Sequence, residues 1–279
     1  MSAGRLLVVA TPIGNLADLS PRAAEALRDA DAVACEDTRR TATLLRACGS
    51  EVPMVSLHAH NEAARSAQLV RRMADGHTVV LVSDAGMPAV SDPGARLVAA
   101  AHAAGIPVRV LPGPSAVTAA VAAAGAPTDR FCFAGFLPRK DGERTELLDR
   151  LDPLGCAVVA FESPQRLPAA LAWLAERHPE RTLAVCRELS KLHEDVVVGT
   201  CAELAARYAE SPRGEITLVL WPAPAAAGDA AADELARVVG VLLHAGLSTG
   251  ATADAAAALG AGSRNAAYRL AIDANREAR

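Results

Sequence analysis

The sequence from residue 79 to residue 88 is Val79-Val80-Leu81-Val82-Ser83-Asp84-Ala85-Gly86-Met87-Pro88. An entirely aliphatic run that ends in a turn predicts a strand buried in a sheet covered by helices. The carboxylate of Asp84 follows the carboxyl end of this strand, where open α/β sheets bind their ligands. Ala85 and Gly86 leave the backbone amides of the turn open to a ligand. A plain tight turn is the alternative for any one of these residues.

Outward from this segment, β-rich runs alternate with helical segments rich in Ala, Leu and Arg as far as Trp221. The alternation predicts an α/β fold with parallel sheets flanked by helices. Strands are predicted at Leu6–Ala10, Ala32–Cys35, Met54–Leu57, Thr78–Ser83, Val108–Leu111, Phe131–Phe136, Ala157–Glu162, Thr182–Arg187, Val196–Gly199 and Glu215–Trp221. Helices are predicted at Pro21–Ala30, Thr41–Cys48, Glu62–Ala74 and Gly94–Ala104. Pro112-Gly113-Pro114 interrupts the series, so we expect two α/β units, residues 1–112 and 113–222.

A linker rich in Pro and Ala follows Trp221, and residues 230–279 form a different kind of module. Helices are predicted at Ala231–Ala245, Ala251–Leu259 and Arg264–Arg276, the layout of a helix-turn-helix. Its last helix and end carry four arginines against two acids. That surplus is modest, so packing of the helices on the α/β units and binding of nucleic acid are equally favoured.

Composition restricts the possible functions of the chain. A net charge of −4 over 279 residues provides no overall attraction to nucleic acid or to an anionic membrane. No apolar run reaches the ~18 residues of a membrane helix, and the run ending at Ala10 is too short for a signal peptide. The six cysteines stand singly, without zinc-ligand spacing. The sequence predicts a cytoplasmic protein with reduced thiols and without a metal.

Two further loops resemble the start of a helix. In Ser91-Asp92-Pro93-Gly94, Asp92 is a natural N-cap and Pro93 suits the first helical position, so this segment is predicted mainly to begin a helix. Pro112-Gly113-Pro114-Ser115-Ala116 likewise opens a helix, and its amides with the Ser115 hydroxyl can bind a polar ligand. Neither a Rossmann fingerprint, nor a P-loop, nor a nucleophile elbow is present.

Polar residues follow several other predicted strands. Asn15, the segment Glu36-Asp37-Thr38-Arg39-Arg40, and His58 with His60 lie beyond strands of the first unit. The two histidines lack a third ligand at metal spacing, so hydrogen bonding is favoured for them. In the second unit, ion pairs are the simpler explanation for Glu162 with Arg166 and for the charges of residues 187–191. Lys191 is one of only two lysines and is harder to explain in that way.

Seven motifs, taken together, closely resemble the ribosomal small-subunit RNA methyltransferase I family, bacterial enzymes of the tetrapyrrole methylase superfamily. They are Ala10-Thr-Pro-Ile-Gly-Asn-Leu-Ala-Asp18, Glu36-Asp-Thr-Arg39, Ser83-Asp-Ala-Gly-Met-Pro-Ala-Val-Ser-Asp-Pro-Gly94, Pro112-Gly-Pro-Ser-Ala116, Gly135-Phe-Leu-Pro-Arg-Lys140, Phe161-Glu-Ser-Pro-Gln-Arg166 and Arg187-Glu-Leu-Ser-Lys191. The resemblance covers about residues 6–221, and the tail is similar to the small helical domain of these proteins. Ala10, Met87 and Ser190 depart from the family pattern of Gly, Thr and Thr.

The resemblance implies a two-domain methyltransferase that holds S-adenosylmethionine in the cleft between its α/β units. It further implies methylation of the ribose 2′-hydroxyl of a cytidine in the decoding region of 16S rRNA, within the 30S subunit, by a homodimer. The cofactor-binding residues implied by position are Pro12, Asp84, Ala85, Gly86, Met87, Ser115, Ala116, Phe161, Leu189 and Ile216. The expected substrate-binding residues are Asn15, Glu36, Arg39 and His60.

Methyl transfer from a sulfonium requires alignment and desolvation more than a protein nucleophile or a metal. A ribose hydroxyl is a weak nucleophile, so a polar group that accepts or orients its proton is expected near the cleft. Glu188 and Lys191 are the predicted catalytic residues. A precorrin-type methyltransferase and a ribosome-assembly factor without turnover are the alternatives, since binding loops look alike in active and inactive relatives.

Overall fold

The structure is a computed structural model that describes residues 4–223 and 229–277, with side chains omitted at 229–231 and 276–277. Its internal contacts divide the chain into two compact units, Met1–Trp221 and Pro222–Arg279. The first unit contains two five-stranded sheets, and the second contains three helices. The predicted α/β class is therefore confirmed.

The first sheet is entirely parallel, as predicted, with the strand order β3-β2-β4-β1-β5. Its strands are β1 (Arg5–Val9), β2 (Ala32–Cys35), β3 (Met54–Ser56), β4 (Thr78–Leu81) and β5 (Val108–Leu111), and its helices are α1 (Pro21–Asp29), α2 (Thr38–Cys48), α3 (Glu62–Ala74) and α4 (Ala95–Ala103). Alternate residues of each strand face opposite layers. Leu6 packs with α3 and α4, whereas Leu7 packs with α1 and α2. Since both faces are covered, the central strands β1, β2 and β4 are almost entirely apolar.

The second sheet has the order β6-β7-β10-β8-β9 and is mixed, so the prediction of parallel pairing throughout is wrong for this sheet. Helix α5 (Ala116–Ala124) precedes it; the strands are β6 (Phe131–Phe136), β7 (Ala157–Glu162), β8 (Thr182–Arg187), β9 (Asp195–Thr200) and β10 (Ile216–Leu220), and the remaining helices are α6 (Asp141–Leu151), α7 (Leu167–Arg177) and α8 (Cys201–Arg207). Only β6 and β7 pair in parallel. Residues 188–194 alone join β8 to β9, and so short a connection permits only antiparallel pairing.

The two faces of the second sheet meet different partners. One face packs on α6, α7 and α8, around residues such as Leu171 and Leu204. The other packs on α5, and Ile13 from the loop after β1 joins the same apolar cluster. The second sheet and α5 therefore pack against a loop at the carboxyl edge of the first sheet.

Helix α4 begins later in the sequence than predicted. The sequence predicts Asp92 as the N-cap and Pro93 as the first helical residue, and this prediction is wrong. Helix α4 begins at Ala95 after Gly94, whose φ of 129° is one that L side chains rarely adopt. The amides of Gly94 and Arg96 donate to Glu62 Oε1, at 2.9 and 3.1 Å. A buried carboxylate from α3 thus caps the helix.

The second compact unit consists of α9 (Asp229–His244), α10 (Thr249–Ala258) and α11 (Arg264–Glu277). The three predicted helices are present, and each end lies within two residues of its predicted position. Their shared core is made of small residues such as Ala253 and Ala267 with Leu235 and Val239. Among residues 4–223 and 229–277, no helix combines the length and apolar character needed to cross a membrane.

Candidate functional site: a cleft at the ends of two sheets

The loops after β1 and β4 are joined by a backbone bridge. Thr11 N donates to Gly86 O at 2.9 Å, and Gly86 N donates to Thr11 O at 3.0 Å. The Thr11 hydroxyl also donates to Ser83 O, and the Ser83 hydroxyl to Gly86 O, each at 3.1 Å. Gly86 has a φ of +79°, which favours glycine, and an added Cβ would lie 3.4 Å from Ile13 Cγ2. The loop that carries Asp84 is therefore rigidly placed.

This loop forms one wall of a cleft of about 440 Å³. Residues from both sheets line it: Ile13, Glu36, Arg40, Asp84, Ala85, Gly86, Met87, Val90, Ser91, Asp92, Ser115, Ala116, Val117, Phe136, Phe161, Glu162, Ser163, Pro164, Gly214, Glu215, Ile216 and Thr217. The volume suits a small molecule, and the mixture of apolar and polar walls is typical of a ligand site. The cleft lies beyond the carboxyl ends of β1, β4 and β5, as expected of an α/β sheet.

Eight of the predicted cofactor-binding residues line the cleft: Asp84, Ala85, Gly86, Met87, Ser115, Ala116, Phe161 and Ile216. Leu189 lines a small adjoining cavity together with Ile13 and Ala116. Pro12 is not among the lining residues, whereas its neighbour Ile13 lines both cavities. The structure brings these residues together, and their contact with a cofactor stays a prediction.

The predicted substrate-binding residues are more scattered. Glu36 lines the cleft. Arg39 is 89 % exposed and pairs with Asp37 at 2.9 Å, while the next residue, Arg40, lines the cleft. The Asn15 side chain accepts from Ala17 N and begins a short 3-10 helix. His60 is exposed and lies with its ring centroid 6.1 Å from that of His58.

The predicted catalytic residues Glu188 and Lys191 do not line the cleft. Lys191 Nζ lies 2.7 Å from Glu188 Oε1 and 2.9 Å from Glu215 Oε2, and the Glu215 amide donates to Glu188 Oε1 at 2.8 Å. Lys191 also packs on Gly14, where an added Cβ would clash with its side chain. Glu215 is the member of this group that reaches the cleft. We call Glu188, Lys191 and Glu215 the paired cluster.

Both charges in the paired cluster are stabilised by their partners. The hydrogen bond from Lys191, followed by that from the Glu215 amide, lowers the pKa of Glu188. Burial lowers the pKa of Lys191, but its hydrogen bonds to Glu188 and Glu215 outweigh burial and raise that pKa. Proton exchange at either group near neutral pH is disfavoured by this pairing.

On the first-sheet side, Glu36, Asp84 and Asp92 line the same cleft, and we call them the open cluster. Asp84 Oδ1 accepts from the Asp37 amide at 3.1 Å, and Asp84 Oδ2 lies 3.5 Å from Arg40. Burial, with Glu36 and Asp84 as secondary causes, raises the pKa of Asp92 to about 6. Burial and then Asp84 raise the pKa of Glu36, which Arg40 and His58 partly counteract.

The second-sheet wall is aromatic at its centre. Phe161 lies edge-on to Phe133 and Phe136, with centroid distances of 4.9 and 5.6 Å. Phe136 is 57 % exposed and lines the cleft. Three of the four phenylalanines in the chain therefore meet at this wall. Glu162, also in the wall, is neutralised by Arg166 at 2.6 Å.

Sequence reasoning missed Arg40, Asp92 and Phe136 as cleft residues. Arg40 and Phe136 lie within motifs singled out from the sequence, yet only the structure shows which neighbour faces inward. Asp92 was missed because Asp-Pro-Gly is a strong local signal for a helix N-cap. In the structure, Glu62 from a different helix caps α4 instead. Among the described residues, no group of three His, Cys, Asp or Glu side chains is arranged to hold a metal ion.

Comparisons with known proteins agree with this architecture. The family of Tetrapyrrole (Corrin/Porphyrin) Methylases matches residues 5–205. Among solved structures, uroporphyrin-III C-methyltransferase from Thermus thermophilus, complexed with S-adenyl homocysteine, is similar with a TM-score of 0.54 and 21 % identity. That likeness covers 77 % of this chain and 97 % of that chain, and it supports the fold.

Closer relatives are identified by sequence. The Ribosomal RNA small subunit methyltransferase I of Mesorhizobium japonicum is 43 % identical over 96 % of this chain and 91 % of its own length. The protein of the same name from Mycobacterium tuberculosis H37Rv is 50 % identical over 61 % of each chain. The chain is a member of the ribosomal RNA small subunit methyltransferase I family, within the tetrapyrrole methylases.

Proposed function

We propose that this protein transfers a methyl group from S-adenosylmethionine to the ribose 2′-hydroxyl of a cytidine in the decoding region of 16S rRNA. The observation that carries the proposal is a single cleft, shared by both sheets, in a chain 43 % identical over 96 % of its length to a named rRNA methyltransferase. We further propose the assembled 30S subunit as substrate, a homodimer as the active form, and the cytoplasm as the place of reaction.

The cleft residues fit the methyl donor. S-adenosylmethionine supplies an activated methyl group on a positively charged sulfur. Three lining carboxylates of the open cluster face a single lining arginine, so this side of the cleft favours a cation. The Asp84 carboxylate is suited to accept hydrogen bonds from ribose hydroxyls. The apolar side chains of Ile13, Met87 and Val117 are suited to pack on an adenine ring.

The remaining wall suits a nucleoside. Phe136 presents an exposed ring at the cleft, and unstacked RNA bases are recognised by stacking on aromatic side chains. Arg39 and Arg40 are 89 % and 64 % exposed, and they place positive charge beside the cleft in a chain with net charge −4. Local arginines rather than overall charge would then bind the RNA backbone.

Transfer of label distinguishes this function from two others. The protein is incubated with radiolabelled S-adenosylmethionine and either unmodified 30S subunits or a precorrin extract, and the label is mapped. Label on a 16S rRNA ribose supports the proposal. Label on a precorrin carbon would show a tetrapyrrole methyltransferase. Cofactor binding without transfer to either substrate would show an assembly factor.

The tail unit is proposed to help bind the subunit. Deleting residues 230–279 should weaken binding to 30S subunits and leave the affinity for S-adenosylmethionine unchanged, measured by filter binding and by calorimetry. Unchanged affinity for the subunit would contradict this role and favour simple packing of the three helices. Light scattering at several concentrations tests the homodimer.

A further inference from the structure

A carboxylate that the sequence assigns to a helix cap has a different position in the structure. Asp92 lines the cleft on the same side as Asp84 and next to Ser91, another lining residue. Glu62 already accepts the two amides at the start of α4, so the Asp92 side chain is free of that role. Its placement therefore needs an explanation other than helix capping.

The backbone around Asp92 is held in an unfavourable conformation. Ala89 and Ser91 have positive φ angles of 65° and 62°, and neither is glycine. The left-handed region is unfavourable for residues other than glycine, and residues in that conformation cluster at functional sites. This segment turns twice between β4 and α4 and leaves both Ser91 and Asp92 at the cleft.

Asp92 also differs from most acids around it in having no cationic partner. Asp84 pairs with Arg40, Glu162 with Arg166, and Glu215 with Lys191. Within residues 4–223 and 229–277, no such pair includes Asp92 or Glu36, and Glu36 is the more exposed of the two. Asp92 is thus the most sheltered carboxylate in the cleft that is not neutralised by a neighbour.

We propose that Asp92 accepts the proton of the ribose hydroxyl that is methylated. This inference rests on the function proposed above and deepens it. The ribose oxygen forms a bond to the methyl carbon while the sulfur–carbon bond breaks, and the electron pair of that bond stays on sulfur. The hydroxyl proton passes to the Asp92 carboxylate and from there to water.

The electrostatic surroundings of Asp92 suit that task. The charged groups that line the cleft with it are Glu36 and Arg40 after β2, Asp84 after β4, Glu162 at the end of β7 and Glu215 before β10. Outside the cleft, Arg166 pairs with Glu162 and Lys191 pairs with Glu215. Burial raises the pKa of Asp92 to about 6, helped by Glu36 and Asp84 and partly offset by Ser83. A base of this kind is ionised at neutral pH and still holds a proton strongly enough to assist transfer.

The proposal is tested by measuring the rate of single-turnover methylation of unmodified 30S subunits between pH 5 and 8.5. The wild type is compared with Asp92→Asn, with Asp92→Glu and with Asp75→Asn, a control at an exposed residue. The wild-type rate should rise with pH, reach half of its maximum near pH 6 and level off above about pH 7. Asp92→Asn should lower the plateau roughly a hundredfold, the lower range for a general base, and lose the pH dependence. Asp92→Glu should recover part of the rate, and Asp75→Asn should match the wild type.

A second readout is independent of turnover. The carboxyl carbon of Asp92, labelled with ¹³C and followed by NMR without cofactor, should titrate near pH 6 and not near the ordinary value of about 3.9. Calorimetry should give Asp92→Asn the wild-type affinity for S-adenosylhomocysteine, which shows that its cleft is folded.

The proposal is overturned if Asp92→Asn keeps the wild-type rate and pH profile, or if Asp92 titrates near 4. In that case ribose methylation by the wild type still stands as the function. If the wild-type protein transfers no methyl group to ribose under any condition, the proposed function fails and the proton acceptor fails with it.

Discussion

The open cluster and the paired cluster contain the same kind of side chain in opposite surroundings. Glu36, Asp84 and Asp92 line the cleft with Arg40 as their neighbouring cation. Glu188 and Glu215 share Lys191 at 2.7 and 2.9 Å. Pairing with Lys191 lowers the pKa of Glu188, whereas burial without a cationic partner raises the pKa of Asp92. The difference shows that proximity of charged residues to a cleft does not by itself indicate a chemical role.

The largest effect on stability is expected from removing the Glu62 carboxylate, which caps α4 in place of Asp92. Glu62→Ala leaves the amides of Gly94 and Arg96 without their buried acceptor. We expect a loss of about 2 kcal/mol in the free energy of unfolding, typical of a lost cap in a buried setting. Urea unfolding measures it, with the exposed Glu146→Gln as control. An unchanged stability would mean that Asp92 takes over the cap, which would weaken the comparison.

A somewhat smaller effect is expected at Asp84. Asp84→Asn removes the negative charge and keeps the shape of a side chain predicted to contact the methyl donor. The affinity for S-adenosylmethionine should fall about tenfold, equivalent to roughly 1.4 kcal/mol. Calorimetry with S-adenosylhomocysteine, which lacks the sulfonium charge, should show a smaller loss. An equal loss for both ligands would argue against an electrostatic preference for the cation.

In the paired cluster, Lys191→Met should act on stability first. The substitution leaves Glu188 and Glu215 close together without a cation. Glu215 is exposed and Glu188 is half-buried, so the expected cost is about 1 kcal/mol. Thermal unfolding at low and high salt measures the loss, which salt should reduce. If Lys191→Met lowered the single-turnover rate more than Asp92→Asn does, the roles assigned to the two clusters would be reversed.

The smallest effect is the dependence of stability on pH at Asp92. Its raised pKa means that the folded state binds this proton more tightly than the unfolded state. That contribution to stability is present below about pH 4 and is lost as the pH rises toward 6. At pH 8, Asp92→Asn should therefore be more stable than the wild type. The expected gain in the free energy of unfolding is below about 1 kcal/mol, because solvent screens part of the effect. Thermal melts at pH 4.5 and 8 compare the two proteins.

Much of the fold could be predicted because local pattern and tertiary packing agree. The bounds of β2, β5, β6, β7 and β8 match the predicted strands, since apolar runs there end at turn residues or charges. The predicted β4 extends to Ser83, but the strand ends at Leu81, and the Ser83 hydroxyl then bonds within the turn. Mixed pairing of the second sheet was missed because periodicity does not reveal strand direction.

The site was less predictable than the fold for a physical reason. Residues such as Asp84 and Ser115 follow strands directly, so the topology places them at one edge. Asp92 depends on Glu62, thirty residues earlier in the sequence, and Glu188 depends on Glu215 across a strand pair. Such long-range partners decide which carboxylates remain without a partner, and no local motif encodes them.

A direct comparison of Asp92→Asn with Glu188→Gln in single-turnover methylation of 30S subunits tests the assignment of roles most directly. Both substitutions remove one carboxylate charge and conserve shape. We predict a loss of roughly a hundredfold for Asp92→Asn. At saturating cofactor, we predict a loss within about threefold for Glu188→Gln, because its ion pair with Lys191 lies outside the cleft. A full rate for Asp92→Asn together with a large loss for Glu188→Gln would contradict the assignment and return the catalytic role to the paired cluster.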